Sequence, residues 1–344
     1  MRILLVTDAW QPQVNGVVRT IQETRAELQR RGHVVEVIGP DRFRTIALPT
    51  YRDIRLALPP RRKLAALIED FAPDYIHIAT EGPLGWAARR WCLRNGRAFT
   101  TAYHSRFPEY LAARLPIPLA ISYAVLRRFH QPAVKTMVPT QSIANDLAQR
   151  GFSNIALWTR GVDTDLFRPL AGAFGDLPKP ILLYAGRVAT EKNLAAFLGL
   201  NNEGSKIVVG DGPQREELKR AYPDTHFTGT LAGDDLVGAY CAADVFVFPS
   251  RTDTFGLVLI EALACGTPIA AYDVPGPRDV LAPQSGDSPV GILGDDLGTA
   301  IERCLALQVS REKCRDFALN HYSWARATDQ FLDIHAGICD HSPR

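Results

Sequence analysis

The sequence predicts an α/β protein built from two doubly wound parallel-sheet domains. Three observations carry this expectation. Short apolar runs alternate with longer amphipathic ones along the whole chain, the alternation is interrupted once between Arg160 and Pro180, and 344 residues suit two cores better than one.

In the first half, apolar runs at Arg2–Val6, Val34–Ile38, Tyr75–Ala79, Ala98–Ala102 and Thr136–Val138 read as strands. Near-continuous apolar runs are what a strand covered on both faces requires. Between them, Val17–Arg30, Arg62–Phe71, Leu84–Arg94 and Ser142–Gln149 read as helices, with Gly32 and Gly96 where C-terminal caps are expected. The pattern then loosens through Gly161-Val162-Asp163, Phe167-Arg168-Pro169, Gly172, Gly175, Pro178 and Pro180, a linker by composition. It resumes with strands at Ile181–Ala185, Lys206–Val209, Val245–Pro249 and Pro268–Tyr272, and helices at Glu191–Gly199, Gln214–Tyr222 and Phe255–Cys265. Ligands of open parallel sheets sit outside the C-terminal strand ends, so two such domains facing each other would share one cleft.

Composition narrows the function classes. Hydrophobic residues make up 46% and charged residues 22%, the balance of a globular protein rather than a disordered one. The six cysteines, Cys92, Cys241, Cys265, Cys304, Cys314 and Cys339, form neither a C-x-x-C pair nor a zinc-spaced cluster, and read as reduced thiols of a cytoplasmic protein. The opening apolar run, Ile3 to Val6, is too short for a secretory signal. The run Leu115 to Leu126 has 12 residues and two prolines, short of the roughly 20 residues that span a bilayer. Net charge is +2, but residues 1–160 carry +11 and residues 161–344 carry −9. That asymmetry points to an anionic surface or ligand opposite the first half, or else to a solvated basic face. No G-x-G-x-x-G follows a strand, which disfavours an oxidoreductase.

The residues that carry chemistry stand at strand ends. The segment from Ser250 to Pro268 places Asp253, Thr254, Phe255, Gly256 and Leu257 between a strand and a helix, with Glu261 eight residues beyond Asp253. Free N–H groups at a helix start suit a sugar hydroxyl or a phosphate oxygen. On an ideal helix the two carboxylates lie about 12 Å apart, a span that touches two parts of one long ligand. Read structurally, Asp253 is a helix N-cap and Glu261 the partner of a basic side chain. Gly186-Arg187 to Lys192-Asn193 is a second strand-end cluster, in which the Arg187 fork and the compact Lys192 charge suit a diphosphate. Gly210-Asp211-Gly212-Pro213 permits close backbone approach but is equally a common tight turn. In the first half, Asn15-Gly16 marks the first strand-to-helix junction, and His104 in Tyr103-His104-Ser105 follows another strand end.

Together these residues resemble glycosyltransferase family four, retaining nucleotide-sugar transferases of the GT-B fold, in which two Rossmann-like domains face a cleft. The resemblance covers nearly the whole chain. The family's paired carboxylates, seven residues apart, read here Asp253 and Glu261, with Asp one methylene shorter than the usual Glu. By resemblance Glu261 binds the nucleotide ribose, Asp253 contacts the donor sugar, and the intervening amides hold sugar hydroxyls. Arg187 and Lys192 hold the diphosphate, Gly16 lets the donor phosphate approach, and His104 stands beside the sugar ring. A single Gly16 argues against the starch and glycogen synthase branch. The resemblance implies an acceptor-side domain over residues 1–165, a nucleotide-sugar domain over 178–322, and a helix over 323–344 that returns to the first domain.

The opening through Val17 and the segment Tyr103 to Pro108 look most like the branch that glycosylates lipids, which includes diacylglycerol glycosyltransferases, sulfoquinovosyl-lipid synthases and GDP-mannose-dependent α-mannosyltransferases. The run Tyr110 to His130 mixes apolar residues with Arg114, Arg127 and Arg128, and with Arg106 just before it, as an interfacial segment would. A plain acceptor-domain helix fits the same residues. The expected activity is transfer of a hexose, from a UDP-sugar first and GDP-mannose second, to diacylglycerol or a related lipid. The expected partners are the donor, the lipid acceptor and the anionic cytoplasmic face of a membrane, with no nucleic acid, no metal and no other cofactor. A nucleotide-sugar epimerase and a non-catalytic sugar-binding protein are the alternatives. Neither the base nor the acceptor is readable from the motifs.

Overall fold

The computed structural model of the chain describes residues 1–13, 15–48, 51–58, 60–112, 117–284 and 289–339. Arg114, one of the expected membrane cations, lies outside them. The chain divides into two compact units, Met1–Thr159 with Trp324–Arg344, and Arg160–Ser323.

The first unit holds strands β1 (Arg2–Val6), β2 (Val34–Ile38), β3 (Thr45–Leu48), β4 (Tyr51–Ala57), β5 (Tyr75–Ile78), β6 (Thr100–Ala102), β7 (Thr136–Val138) and β8 (Ile155–Leu157). Its helices are α1 (Gly16–Arg30), α2 (Arg61–Phe71), α3 (Pro83–Arg94), α4 (Phe107–Ala112), α5 (Leu119–His130) and α6 (Gln141–Gln149). The second unit holds β9 (Ile181–Ala185), β10 (Ser205–Val209), β11 (His226–Gly229), β12 (Val245–Phe248), β13 (Ile269–Tyr272) and β14 (Gly291–Gly294). Its helices are α7 (Leu194–Leu198), α8 (Arg215–Ala221), α9 (Gly233–Ala242), α10 (Leu257–Ala264), α11 (Pro275–Leu281), α12 (Leu297–Ala306) and α13 (Arg311–His321). The last helix, α14 (Trp324–Cys339), belongs to the first unit.

Each unit is one six-stranded parallel sheet, ordered β2-β1-β5-β6-β7-β8 in the first and β11-β10-β9-β12-β13-β14 in the second. The strand order reverses between β1 and β5, and again between β9 and β12. Crevices at such switch points are where ligands of open α/β sheets bind. The central strands are buried on both faces, as their apolar runs require: every residue of β9 and of β12 is buried. β3 and β4 form a separate antiparallel hairpin beside this architecture.

Several elements depart from the sequence expectation. The helix expected over Glu191–Gly199 is a 3₁₀ turn at Thr190–Lys192 followed by α7, because Asn193 adopts φ +55° and breaks the run. The helix expected from Phe255 begins at Leu257. Gly256 stands before it at φ +89°, and a Cβ there would meet Phe248 at 3.0 Å. The run expected as one interfacial segment is divided between α4 and α5.

A buried polar chain ties α14 to the first sheet. The Phe331 carbonyl accepts from His335 Nδ1 at 2.7 Å. Nε2 therefore accepts from the Thr100 hydroxyl at 2.9 Å, and Thr100 Oγ1 accepts from His77 Nδ1 at 2.8 Å. Burial lowers the His335 pKa from 6.5 to about 4, so the folded state excludes a proton that the unfolded chain takes up below pH 6.5. His335 thus adds no pH dependence above 6.5, and stability is lost as pH falls from there toward 4. Between pH 7 and 5 the loss is expected to be about 2 kcal/mol. Urea unfolding of the native chain and of His335→Gln at both pH values measures it, and parallel losses in the two proteins would exclude His335 as the source.

Candidate active site

The second unit's switch point gathers most of the residues singled out from the sequence. Arg187 follows β9, and the loop after β10 packs onto the same strand end: a Cβ on Gly210 would lie 1.9 Å from the Gly186 carbonyl oxygen. Only glycine admits that backbone contact. Asp253 follows β12 on the far side of the switch point. The two loops are joined there by Lys192 Nζ, which donates to Asp253 Oδ1 at 2.6 Å with both side chains largely buried.

Neighbouring contacts fix this pair. Asn193 Nδ2 donates to the Pro249 carbonyl at 3.2 Å, and the Ser250 and Thr252 hydroxyls both donate to the Glu191 carbonyl at 3.4 Å. The Tyr184 hydroxyl donates to the Arg187 carbonyl at 2.7 Å, which sets where the Arg187 side chain leaves the backbone. Burial, with Asp253 and Glu191 nearby, pushes the Tyr184 phenol well above its ordinary range, so it remains a donor. Asp253 Oδ2 is buried without a hydrogen-bond partner among the described residues, a spare acceptor beside a cation.

Asp253 is not the N-cap of α10. Gly256 holds that position without a side-chain cap bond, so the Thr254–Leu257 segment is the turn that leads into the helix. The ideal-helix spacing of the two carboxylates therefore does not apply, since Asp253 precedes α10 altogether. Glu261 lies inside α10, 5% exposed, and its Oε2 accepts from the Tyr240 hydroxyl at 2.9 Å. Tyr240 was not singled out from the sequence. It stands on α9, which carries little amphipathic signal, and nothing in its surroundings along the chain marks it.

In the first unit, Asn15 caps α1, its Oδ1 accepting from the Val17 and Val18 amides at 3.0 Å each, and Gly16 opens the helix beyond β1. His104 follows β6 and meets the buried Trp158 ring edge-on at 6.0 Å. Asp8, also missed as a candidate, reaches from the end of β1 to the Leu84 and Gly85 amides at 2.9 and 3.1 Å and accepts from the Thr80 hydroxyl at 3.1 Å. It thereby fixes the start of α3. Burial raises its pKa above the usual carboxylate value.

The basic residues expected at a membrane separate. Arg106 is 19% exposed and faces Glu109 and Asp146 at 4.0 and 3.9 Å, so its charge is engaged inside the unit. Arg127 and Arg128 stand exposed on α5 with the exposed Leu119, Ile121 and Val125. Among the described residues no helix is long and apolar enough to cross a membrane.

Known proteins resemble this chain along most of its length. Residues 14–166 match the model of Glycosyltransferase Family 4, and residues 179–306 that of Glycosyl transferases group 1. A GDP-mannose-dependent alpha-mannosyltransferase of Mycobacterium tuberculosis is 32% identical over 310 residues, 82% of each chain. A sulfoquinovosyl transferase of Arabidopsis thaliana is 30% identical over 83% of this chain and 61% of its own. An alpha-monoglucosyldiacylglycerol synthase of Streptococcus pneumoniae is 28% identical over 80% of this chain and 72% of its own. The solved sucrose-phosphate synthase of Thermosynechococcus elongatus shares the fold, with a TM-score of 0.78 at 24% identity over 99% of this chain and 100% of its own. With two parallel α/β units, a cationic and carboxylate cluster at a switch point, and these relatives, the chain belongs to glycosyltransferase family 4, as a GT-B enzyme that acts on nucleotide sugars.

Proposed function

We propose that the enzyme moves a hexose, with its anomeric configuration retained, from a nucleotide diphosphate donor to a hydroxyl of diacylglycerol or a related membrane lipid. The joining of Lys192 to Asp253 beside Arg187 carries the reading. On this reading Lys192 and Arg187 meet the departing diphosphate, and Asp253, whose Oδ2 is unpartnered among the described residues, accepts from a sugar hydroxyl. Arg187 and Lys192 stabilise the leaving diphosphate, the Thr254 to Leu257 turn and Gly210 admit the donor backbone-close, and Glu261 holds the ribose. Asn15, Gly16 and His104 are the first unit's share, by family resemblance. The acceptor oxygen bonds to the anomeric carbon on the face the diphosphate leaves, and a departing phosphate oxygen takes the acceptor proton. Electrostatic stabilisation supplies most of the rate, with no metal required.

GDP-mannose is the donor to test first, because the Mycobacterium tuberculosis, Mycolicibacterium smegmatis and Corynebacterium glutamicum relatives are all named GDP-mannose-dependent. A UDP-sugar is the second reading, favoured by the resemblance to lipid glycosyltransferases. The sulfoquinovosyl transferase and the diacylglycerol-modifying relative support a lipid acceptor. On this reading the protein is peripheral on the cytoplasmic face, with the apolar and basic side of α5 in the headgroup layer. Each Lys or Arg there contributes about 1 kcal/mol.

Labelled GDP-mannose and UDP-glucose, each offered with diacylglycerol in neutral and in anionic vesicles, test the proposal. Labelled glycolipid is expected from one donor, faster on anionic vesicles at low salt. Equal rates on both surfaces would remove the membrane electrostatics, and transfer only to a soluble acceptor would remove the lipid.

A further inference from the structure

The first unit carries a carboxylate at its strand ends that the donor site leaves unused. Glu81 stands between β5 and α3. In the sheet, β5 lies between β1 and β6, so Glu81 is flanked by the strand that leads to Asn15 and Gly16 and by the strand that leads to His104. Its backbone is fixed by Asp8. The Asp8 amide donates to Thr80 Oγ1 at 2.6 Å, while the Asp8 carboxylate accepts from the Thr80 hydroxyl and from the Leu84 and Gly85 amides. A Cβ on Gly82 would run into that carboxylate, so the turn that bears Glu81 closes directly on the end of β1.

The side chain is held by a chain of hydrogen bonds that runs in one direction. Asn154 Nδ2 donates to the His130 and Ala133 carbonyls at 3.0 and 2.7 Å, which leaves Asn154 Oδ1 to accept from the Thr136 hydroxyl at 3.2 Å. The Thr101 hydroxyl then donates to Thr136 Oγ1 at 3.3 Å, so Thr101 Oγ1 accepts from His130 Nδ1 at 2.8 Å. With Nδ1 donating, a neutral His130 ring would turn a bare Nε2 lone pair on a carboxylate oxygen, Glu81 Oε1, 3.1 Å away. A proton therefore lies between Nε2 and Oε1, and His130 with Glu81 forms a couple of no net charge. His130 is fully buried, its ring 6.4 Å from that of Tyr103, the residue before His104, whereas the Glu81 side chain is 21% exposed. Oε1 is thus occupied, and Oε2 has no partner among the described residues.

We propose that Glu81 is an acceptor-binding residue, whose Oε2 takes the hydrogen bond of an uncharged acceptor hydroxyl, and that His130 is the positioning residue that aims it. An oxygen with lone pairs and no proton to give selects a hydrogen-bond donor. A hydroxyl is one, and a diphosphate offers none. Because Nε2 holds Oε1, the side chain is already ordered before the acceptor arrives, and binding does not have to supply that ordering. The Asp8 contacts do the same for the backbone of the turn. This role for Glu81 rests on the reading that the first unit takes the acceptor.

Initial rates of the full-length protein test the assignment, with GDP-mannose or UDP-glucose, whichever it uses, and two acceptors: dioctanoylglycerol in neutral phosphatidylcholine vesicles and glycerol in solution. Glu81→Ala is expected to raise the acceptor KM by roughly ten- to a hundredfold, the range for losing a hydrogen bond to a charged group. Glu81→Gln keeps the shape and gives His130 Nε2 an amide donor, so it is the variant to read if the alanine protein does not fold, and it should raise the acceptor KM by less. The donor KM, and the affinity for GDP and UDP in calorimetry, should stay within a few-fold of native. His130→Gln keeps an N–H for Oε1 and should stay nearer the native acceptor KM than His130→Leu, a split confined to one substrate that loss of structure would not give. An acceptor KM unchanged in both Glu81 variants, or a nucleotide affinity that falls with it, overturns the proposal. Transfer to glycerol and not to dioctanoylglycerol, with the same dependence on Glu81, would remove the lipid acceptor and leave Glu81 in its role. Transfer to neither alcohol overturns both.

Discussion

Replacing Lys192 with alanine is expected to lower turnover by roughly 10²-fold or more while the KM for donor stays within a few-fold. The reason lies in where charge develops. As the bond to the sugar breaks, negative charge collects on the departing diphosphate, so a fixed ammonium at that point stabilises the transition state more than the bound donor. An ammonium has three donors, and the 2.6 Å bond to Asp253 Oδ1 uses one, which leaves two for phosphate oxygens and holds the group in place without exhausting it. Arg187→Ala is expected to act in the same sense. Lys192→Arg keeps the charge but not the compact shape that meets Asp253, and should recover only part of the rate. Steady-state kinetics with the donor varied decides, and unchanged turnover in both alanine variants would take these residues out of the mechanism.

Glu261→Ala is expected to weaken binding of the free nucleotide diphosphate by roughly ten- to a hundredfold, the range for losing a hydrogen bond to a charged group. Asp253→Ala should leave that ligand's affinity nearly intact and act on sugar discrimination. The geometry separates the two: Glu261 is enclosed in α10 and accepts from the Tyr240 hydroxyl, whereas Asp253 stands outside the helix with Oδ2 buried and unpartnered among the described residues. Tyr240→Phe removes the orienting bond while keeping the ring, and should give a smaller loss in the same direction as Glu261→Ala. Calorimetry with GDP and UDP measures all three. Equal losses from Asp253→Ala and Glu261→Ala would refute the division of roles.

What was legible in the sequence followed from burial. Strands such as Ile181–Ala185 and Val245–Phe248 announce themselves because a parallel strand covered on both faces must be apolar nearly throughout. Two of the sheet edges do not: β8 is only partly buried, and β11 begins with an exposed His226, so neither presents a run that stands out from a loop. Helix α9 escaped for the opposite reason, since most of its residues are buried and it lacks a polar stripe. The strand-end residues of the candidate site could be located because their loops follow recognisable strands. Their mutual contacts could not. Lys192 and Asp253 lie 61 residues apart and Tyr240 and Glu261 21 apart, and only the strand order around β9 brings the first pair together.

The placement of α14 governs the order in which the protein can mature. Thr100 and His335 are 235 residues apart in the chain, and the Trp158 indole donates to the Ala327 carbonyl across 169. During translation the ribosome delivers all of the second unit before the helix that completes the first. The second unit can therefore close on itself while the first still displays the apolar groove that Phe331 will fill. A nascent chain paused before residue 324 would be half native and half exposed, the condition in which chaperones are recruited. Closure of the second unit pairs Val162 with Ser323 and so removes most of the intervening loop, which leaves completion of the first unit waiting on the second.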